Sequence, residues 1–403
     1  MTYKTYSVEE HQLPLDKVDP DALYVMDKLR SHGHIAYLVG GSVRDLLLNQ
    51  KPKDFDISTS ATPEEIRRLF RQCILIGRRF LLAHIRFGKK ILEVSTFRSG
   101  DNETEALIVR DNKWGTPEED VLRRDFTING LFYDSSTQEV IDYVEGYPDL
   151  QKRLLRTVGQ PFLRFKQDPV RMLRLLKFQA RFGFSIDPAV HTALLDCRQE
   201  IIKSSSARVQ EELLRMLESG SSEPFFRLLT EHGFFDLMMP AFGEWMQSSL
   251  REEILSYLKE VDVASHDPKV LFPSRSVLLA CIVFPIFEKR IRSRYVDRGY
   301  VPHLGEIAVE AHEQIDELFL PFLPLSRKLK GILISILSSQ YRLTPLEKKK
   351  GRKLRAPLDP DFREAVHFLK IRASLEPSLQ LICQEWDEVM QSSEEKKPRR
   401  KLG

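Results

Sequence analysis

The sequence of 403 residues has few cysteines, and their arrangement excludes two common kinds of site. The four cysteines, Cys73, Cys197, Cys281 and Cys383, lie far apart and form no CxxC pair. This spacing argues against a zinc site and against a disulfide framework, and it suits a reducing cytosol.

Long apolar runs are absent as well. The longest, at residues 277–287, is about half of the roughly 20 residues that cross a bilayer, so we predict a buried helix there. The N-terminal residues lack the apolar segment of a signal peptide. We therefore expect a soluble protein that works in the cytoplasm.

The sequence also has little net charge, formally +3, so the total does not indicate a nucleic-acid partner. Local clusters can still bind phosphate when acidic residues elsewhere cancel the sum. Residues 348–355 carry six basic side chains that are candidates for RNA phosphate contacts: Lys348, Lys349, Lys350, Arg352, Lys353 and Arg355. A solvated surface would account for this cluster equally well.

The N-terminal part of the chain mixes strand-like and helix-like segments, whereas amphipathic helices dominate from residue 162 onward. Residues 22–31 favour a helix, and the short apolar run at 35–39 favours a buried strand that stops at a Gly-Gly turn. A helix is predicted over residues 42–48. We therefore expect a small α/β head followed by a long all-α body.

Further along the head, the start of one helix is indicated by several cues at once. Thr62 is a good N-cap, Pro63 suits the first helical position, and Glu65 stands at the third. Strands are predicted at residues 83–87 and 91–97. The polar segment 99–117 is expected to be a mobile loop.

Asp54 and Asp56 are the first candidate catalytic residues. In a predicted strand over residues 53–57 both carboxylates would share one face, about 7 Å apart. Carboxylates held this close repel each other unless cations bridge them, and two Mg²⁺ ions about 4 Å apart fit that spacing. A solvated strand end is the simpler alternative. Glu93, on a strand that could run beside this one, is either a third acidic ligand or an ordinary edge-strand residue.

The Gly-Gly turn upstream is a candidate phosphate site. Gly40 and Gly41 would present backbone N–H groups at the N-terminus of the following helix, an arrangement suited to phosphate. Arg44, in the first turn of that helix, is placed to contact a triphosphate. The alternatives are a plain turn and, for Arg44, an ion pair with Asp45 or a surface position.

A second group recurs every three residues along one side of a predicted helix, namely Asp168, Arg171, Arg174 and Lys177. A carboxylate accepts from an exocyclic amino group, and a guanidinium donates to a ring nitrogen. Asp168 with Arg171 could therefore read the Watson–Crick edge of adenine. The alternative is that Asp168 and Pro169 cap the helix and that the basic stripe is a salt-bridged surface.

Four segments in order resemble the successive motifs of the class II nucleotidyltransferases, the family of bacterial poly(A) polymerases and tRNA CCA-adding enzymes. They are residues 38–45, Asp54-Phe-Asp56, residues 123–129 and residues 168–174. Two features resemble the poly(A) polymerase branch. One is residues 75–80 followed by Ala83-His84, and the other is the pattern of the C-terminal helices, including residues 325–329 and 367–373.

The resemblance implies roles for individual residues. Asp54 and Asp56 would bind two catalytic Mg²⁺ ions, Glu93 would complete the acidic set, and Asp125 would lie in the active site near the sugar. It also implies a set that holds phosphate or lines the nucleotide pocket: Arg124, Arg174 and Lys177. Two positions depart from the family pattern, because Gln167 stands where an acidic residue is usual and Lys177 where arginine is usual. Both departures concern nucleotide selection rather than the metal site.

The expected fold is therefore α+β, with a small nucleotidyltransferase head whose β-sheet is flanked by helices, followed by an elongated all-α neck and body. The expected segments are an N-terminal extension (1–20), a catalytic head (21–155), a helical neck with the nucleotide-selecting motif (156–220), an RNA-binding body (221–390) and a disordered basic tail (391–403).

The implied activity is template-independent addition of AMP from ATP to RNA 3′ ends, with release of pyrophosphate. One alternative is a tRNA CCA-adding enzyme, or a partial adder restricted to C or A, because the same head would serve it. Another is a catalytically silent RNA-binding protein built on this fold. The intact carboxylates and glycine turn argue against that last hypothesis.

Overall fold

The computed structural model describes residues 3–77, 82–99, 113–347, 357, 359 and 361–395, with the backbone alone for 392–395. The chain divides into two compact units. The first consists of Met1–Leu175 with Gly183–Glu200, and the second of Leu176–Phe182 with Ile201–Gly403.

The described strands all belong to the first unit. In chain order, β1 to β12 are Lys4–Tyr6, Ala36–Val39, Asp56–Thr59, Cys73–Ile76, Leu82–Phe87, Lys90–Thr96, Arg98–Ser99, Lys113–Trp114, Leu131–Asp134, Glu139–Asp142, Leu154–Leu155 and Ser185–Ile186. Eight of them form one mixed sheet in the order β1-β10-β9-β2-β3-β6-β5-β4. Within it β3 and β6 are parallel, whereas β2 runs antiparallel to β3 and β5 antiparallel to β6.

Helices cover this sheet and make up the second unit. In the first unit, α1 to α7 and α9 are Val8–His11, Pro20–Ser31, Gly41–Leu47, Pro63–Leu69, Pro117–Leu122, Gly146–Gln151, Pro161–Gln167 and Pro188–Cys197. Helix α8, Val170–Phe182, contributes to both units. In the second unit, α10 to α19 are Ser206–Leu217, Ser222–Glu231, Phe234–Met238, Pro240–Met246, Arg251–Ala264, Arg275–Arg294, Leu304–Phe319, Arg327–Leu343, Phe362–Leu375 and Gln380–Glu395.

Several elements of the head confirm the sequence-based prediction. Helix α2 buries Ala22, Val25, Met26 and Leu29, spaced so that they form one apolar stripe, and it packs against β2. The predicted strands at 35–39, 83–87 and 91–97 correspond to β2, β5 and β6. Helix α4 begins with the expected capping box of Thr62 and Glu65 and has proline at its first position.

The predicted strand over residues 53–57 is wrong in its extent. Strand β3 begins at Asp56, and Asp54 lies before it, so the two carboxylates are not alternate residues of one strand. The reason is the length of the neighbouring strand. Its last paired residue, Val39, lies opposite Asp56, and the chain then turns at Gly40, so residues 54 and 55 have no partner on β2. Phe55 is accordingly half-buried rather than part of the core.

The chain ends differ from the expected segments. Strand β1 lies in the expected N-terminal extension, yet it pairs with β10 and belongs to the head sheet. Helix α19 continues through residues 391–395, which were expected to begin a disordered tail. The boundaries between the two units fall within the expected neck, 156–220, and its role as a separate segment stays a prediction.

The second unit confirms a helical body. Helix α15 buries residues 277–287, as expected for the longest apolar run. Among the described residues no helix is long and apolar enough to cross a membrane. Two expectations lie outside the described residues, namely the basic cluster at 348–355 and most of the 99–117 loop.

Candidate active site

The candidate catalytic carboxylates lie where β3 begins. Asp56 is paired in register with Glu93 of the parallel strand β6, so the two side chains share one face of the sheet on adjacent strands. Desolvation, followed by the charges of Glu93 and Asp54, raises the pKa of Asp56 to about 6, while Arg124 acts in the opposite direction. The side chain of Asp56 is nevertheless exposed to solvent. A bound cation would relieve this repulsion.

The carboxylates of Asp54 and Asp56 form a donor set that fits magnesium, with Glu93 beside them. Glu93 lies beside Asp56 as expected, but its Oε1 is also 3.3 Å from Nε2 of His84 on β5. Within the described part of the chain, no three His, Cys, Asp or Glu side chains are placed to hold one metal ion. The role of Glu93 as a third acidic ligand stays a prediction. Mg²⁺ usually binds one or two protein carboxylates, together with waters and substrate phosphates. Asp54 and Asp56 can provide those carboxylates.

The glycine turn connects this edge of the sheet to α3. Gly40 is the N-cap of α3 and has a φ of 68°, a conformation that favours glycine. A Cβ on Gly40 would also lie 2.9 Å from Nη1 of Arg124. The N–H of Gly40 donates to the carbonyl of Leu131 (3.3 Å). The prediction that this N–H is presented to phosphate is therefore wrong. Gly41, the first residue of α3, is half-buried.

Arg44 is buried within the head. Its Nε and Nη2 donate to Oδ1 of Asp45 at 2.9 and 2.7 Å, and its Nη1 donates to Oδ1 of Asn129 at 2.5 Å. The ion pair with Asp45, considered as the alternative from sequence, is thus present. Contact with a triphosphate would require this enclosed guanidinium to exchange a partner, and it stays a prediction.

Asp125 is a buried carboxylate that is held ionised. Its Oδ1 accepts from Nδ2 of Asn129 (3.0 Å) and from the N–H of Phe126 (2.8 Å), and its Oδ2 lies 2.7 Å from Nη2 of Arg174. Burial acts to raise the pKa of Asp125, but the Arg174 charge, the Asn129 hydrogen bond and the Arg171 charge together hold it below its usual range. Sequence reasoning missed Asn129, although it closes the motif at 123–129.

Two members of the predicted stripe, Arg171 and Arg174, lie close enough to Asp125 to act on its charge, and a third, Asp168, lies near Arg171. Arg171 is buried, donates from Nη2 to the carbonyl of Arg123 (3.0 Å) and has its Nε 4.0 Å from Oδ2 of Asp168. Its Nη1 makes no hydrogen bond within the described residues. Lys177 differs, because its Nζ forms an ion pair with Glu212 (2.8 Å) inside the second unit. Asp168 and Arg171 therefore stay the candidate nucleotide-selecting pair, with Arg174 close by on Asp125.

Three hydrogen bonds from the buried Arg164 support these residues and were not predicted. Arg164 donates to the carbonyls of Leu122 (3.0 Å) and Arg124 (2.8 Å) and to Oε1 of Gln167 (3.2 Å). Arg164 thus ties the segment before Asp125 to the segment before Asp168. Gln167, one of the departures from the family pattern, is an acceptor in this arrangement.

Arg124 is held from several sides. Its Nη2 donates to Oδ2 of Asp120 (2.9 Å), its Nη1 donates to the carbonyl of Asn129 (3.3 Å), and its guanidinium lies 5.3 Å from the ring centre of Phe132. These contacts fix it beside Gly40 and near enough to Asp56 for its charge to oppose part of the rise in the pKa of that carboxyl.

The fold and the site of the first unit define a nucleotidyltransferase. Residues 36–156 match the family model described as the poly A polymerase head domain. Residues 183–246 match that of a probable RNA and SrmB-binding site of polymerase A, and residues 308–402 that of a polymerase A arginine-rich C-terminus. The chain is 34% identical to poly(A) polymerase I of Salmonella typhi over 96% of this chain and 85% of that protein. The chain belongs to the poly(A) polymerase family.

Two CCA-adding enzymes are also similar. The enzyme of Staphylococcus saprophyticus is 40% identical over 198 residues, which are 48% of this chain and 48% of that protein. The crystal structure of the Bacillus stearothermophilus enzyme in complex with CTP aligns with a TM-score of 0.63 and 23% identity, covering 92% of this chain and 83% of that one. This structural likeness indicates a shared fold.

Proposed function

We propose that this chain is a template-independent poly(A) polymerase that transfers AMP from ATP to RNA 3′ ends and releases pyrophosphate. The observation that carries the proposal is the likeness to poly(A) polymerase I, which extends over 96% of the chain. We further propose that it processes transcripts, mRNA among them, in the cytoplasm. None of its four cysteines, all within the described residues, forms a disulfide, which suits a reducing compartment.

In the proposed reaction the RNA 3′-hydroxyl oxygen attacks the α-phosphorus of ATP, and the bond from that phosphorus to the pyrophosphate oxygen breaks. When Mg²⁺ is bound by Asp54 and Asp56, it neutralises the triphosphate and favours the ionised hydroxyl. The protein itself contributes position. Buried and ionised, Asp125 is suited to accept from a ribose hydroxyl, and its contact with Asn129 fixes its orientation.

Adenine selection is assigned to the group at the start of α8. Asp168 would accept from the exocyclic amino group of adenine, and Arg171 would donate from Nη1 to a ring nitrogen. The support for this role is that Arg171 Nη1 is buried without a hydrogen-bond acceptor among the described residues. Arg124 and the partly exposed Arg174 would contact phosphate. The basic cluster at 348–355 would contact the RNA backbone, which carries no sequence information.

The second candidate function is CCA addition to tRNA. It is favoured by the higher identity, 40%, that the Staphylococcus saprophyticus CCA-adding enzyme has over about half of the chain. The two activities would use the same carboxylates and would differ in how the RNA is held and when extension stops.

Extension of two labelled RNAs separates the candidates. An oligoadenylate primer and a tRNA that lacks its terminal CCA are each incubated with Mg²⁺ and either ATP alone or ATP with CTP. A long ladder on oligoadenylate with ATP alone is the expected result. Extension of the tRNA alone, by three nucleotides and with a requirement for CTP, would instead identify a CCA-adding enzyme. Binding of RNA without extension of either substrate would identify a silent RNA-binding protein.

The same assay tests the carboxylates. Asp54→Asn should reduce extension to background while the circular dichroism spectrum stays unchanged. The matched control is Asp27→Asn, which alters an exposed carboxylate on α2 whose partner is Arg30. Substantial extension by a folded Asp54→Asn protein would overturn the proposed role.

A further inference from the structure

The sheet face that carries Asp56 continues outward across three more strands. In register, Asp56 lies opposite Glu93 on β6, Glu93 opposite His84 on β5, and His84 opposite Ile74 on the edge strand β4. Residues two apart along a strand share a face. Ile76, two residues from Ile74, and Ile91, two residues from Glu93, therefore lie on this same face.

The isoleucines on this face are unusually exposed for their type. Ile74, Ile76 and Ile91 are 52%, 46% and 49% exposed. The opposite face of the same strands is buried, with Ile85 and Leu92 each 2% exposed, and α4 packs against β4 and β5. Ile74 and Ile76 lie on the edge strand β4, and Ile91 lies two strands further in, on β6. Exposed apolar side chains on a sheet face and its edge are a liability unless they bind something.

The position of this face indicates what it binds. Adjacent strands are about 4.8 Å apart, so the backbone at Ile74 lies roughly 14 Å from the backbone at Asp56, with Glu93 and His84 between them. An RNA whose 3′-hydroxyl reacts at Asp56 must place its preceding nucleotides over neighbouring surface. Aliphatic side chains contact the flat faces of all four bases without hydrogen bonds, which suits an enzyme that reads no template.

A cation belongs to the same face. Arg86 is exposed, lies two residues from His84 on β5, and pairs in register with Ile91. Its guanidinium is available on the surface to contact a phosphate that joins two bound nucleotides. Single-stranded nucleic acids are bound through positive charges along the backbone and side chains that contact base faces, and this face offers a cation together with aliphatic contacts.

We propose that the isoleucine face, defined by Ile74, Ile76, Ile91 and Arg86, binds the 3′-terminal nucleotides of the RNA primer. The inference rests on the proposed function, because it takes the reaction to occur at Asp54 and Asp56. This face is continuous with the sheet surface that carries Asp56 and Glu93, which favours RNA over a second copy of this chain as the occupant. The face is a binding surface for the primer and has no part in selecting ATP.

The first test replaces the three isoleucines together by threonine, which keeps the β-branched shape that strands favour. The KM for an oligoadenylate primer should rise about 10-fold, while the KM for ATP changes less than about twofold. The matched control is Ile35→Thr, an isoleucine that is 44% exposed just before β2, at the opposite end of that strand from the carboxylates. It should leave both KM values unchanged.

The salt dependence separates the roles of the two residue types. Arg86→Gln should reduce the slope of log primer affinity against log salt by about 1, because one phosphate contact is lost. The isoleucine triple variant should weaken binding without changing that slope. Equal slopes in all three proteins would remove Arg86 from the proposal.

Photo-crosslinking with the wild-type chain tests the face even if the triple variant folds poorly. A primer with 4-thiouridine at its second or third nucleotide from the 3′ end should crosslink to peptides of β4, β5 or β6. A wild-type primer KM in the folded triple variant, or crosslinks that avoid these strands, would overturn the inference. The inference would also be overturned if the triple variant differed from the wild type only in its sedimentation coefficient and not in primer KM, because a second copy of this chain would then be the occupant. If the wild-type chain does not extend RNA with ATP, the proposed function itself has failed.

Discussion

Asp56 lies between two opposing demands. Its proposed role in metal binding requires an ionised carboxylate, yet its surroundings favour the protonated form, because desolvation, Glu93 and Asp54 raise its pKa to about 6 from its ordinary value of 3.8. In the absence of divalent cations the ionised Asp56 therefore destabilises the folded state at neutral pH. Catalytic sites commonly carry this kind of cost.

Asp56→Asn should therefore stabilise the metal-free chain. Since the folded pKa lies above the unfolded one, the destabilisation is complete above pH 6, fades between pH 6 and about 4, and is absent below that. A shift of this size would correspond to almost 3 kcal/mol for a fully buried group, but solvent screening of the exposed carboxylate reduces the expected gain to about 1 kcal/mol. Urea unfolding in EDTA from pH 4 to pH 8 measures it.

The control for this measurement is Asp27→Asn, whose free energy of unfolding should stay close to that of the wild type at every pH. If the Asp56→Asn protein were less stable than the wild type at pH 8 in EDTA, the carboxylate would be stabilising the fold, and the electrostatic account of the site would be wrong.

Gly40 is the residue at which the backbone itself limits substitution. Gly40→Ala combines a φ of 68° with a Cβ 2.9 Å from Arg124 Nη1. We expect a loss of about 1–3 kcal/mol in the free energy of unfolding, from the strained backbone conformation, and a reduced kcat because Arg124 is displaced. Thermal unfolding and primer extension measure the two effects.

Gly88→Ala is the control, since Gly88 also has a positive φ (61°) but its Cβ would meet nothing within 4 Å. Equal loss of activity in both variants would mean that backbone strain alone is responsible.

Elements with strong local signals agree with their sequence. Helix α4 starts at Pro63 because Thr62 accepts from the N–H of Glu65 and the Glu65 carboxylate accepts from the N–H of Thr62 (2.8 Å). These bonds involve residues three apart, so no distant contact is needed to form them. The strand at Asp56 differs, since its start depends on where a partner strand ends.

Loss of the cap of α4 should have a modest and local effect. Thr62→Ala removes the hydroxyl that accepts from Glu65, and we expect it to lower the free energy of unfolding by about 1 kcal/mol. Thr62→Ser should restore most of that stability, because serine caps equally well. Chemical denaturation of the three proteins measures the difference. Equal stability of the alanine variant and the wild type would show that the cap contributes nothing here.

At the scale of the whole molecule, each unit has an apolar core of its own. In the first, Val39, Phe97 and Phe132 belong to one buried cluster, and in the second, Phe362 and Trp386 belong to another. The described residues do not gather three ligands around a metal ion. Folding of both units should therefore be independent of divalent cations, unlike that of small zinc domains.

Chelation should consequently separate activity from stability. EDTA is expected to abolish primer extension and to change the midpoint of thermal unfolding by less than about 2 °C, with activity restored by added Mg²⁺. Circular dichroism melts with and without EDTA, beside the extension assay, make the measurement. A fall of the midpoint by about 5 °C or more would reveal a structural metal that the fold requires.

The sequence by itself determined the motifs, the fold class and the elements with local signals, among them α2, α4 and the buried helix α15. Chain periodicity and capping act over a few residues, so they can be read without knowing the fold. The sequence also predicted that Glu93 lies next to Asp56 and that Asp168 lies near Arg171.

Only the tertiary structure decided which polar groups pair. Arg44 lies with Asn129, Arg174 with Asp125, and Lys177 with Glu212, all of them contacts between segments far apart in the chain. The register of β3 with β2 likewise set the start of β3. The registers of β3 with β6, of β6 with β5 and of β5 with β4 set the row from Asp56 to Ile74. Such pairings depend on how strands and helices pack, and a residue's type and local spacing do not contain that information.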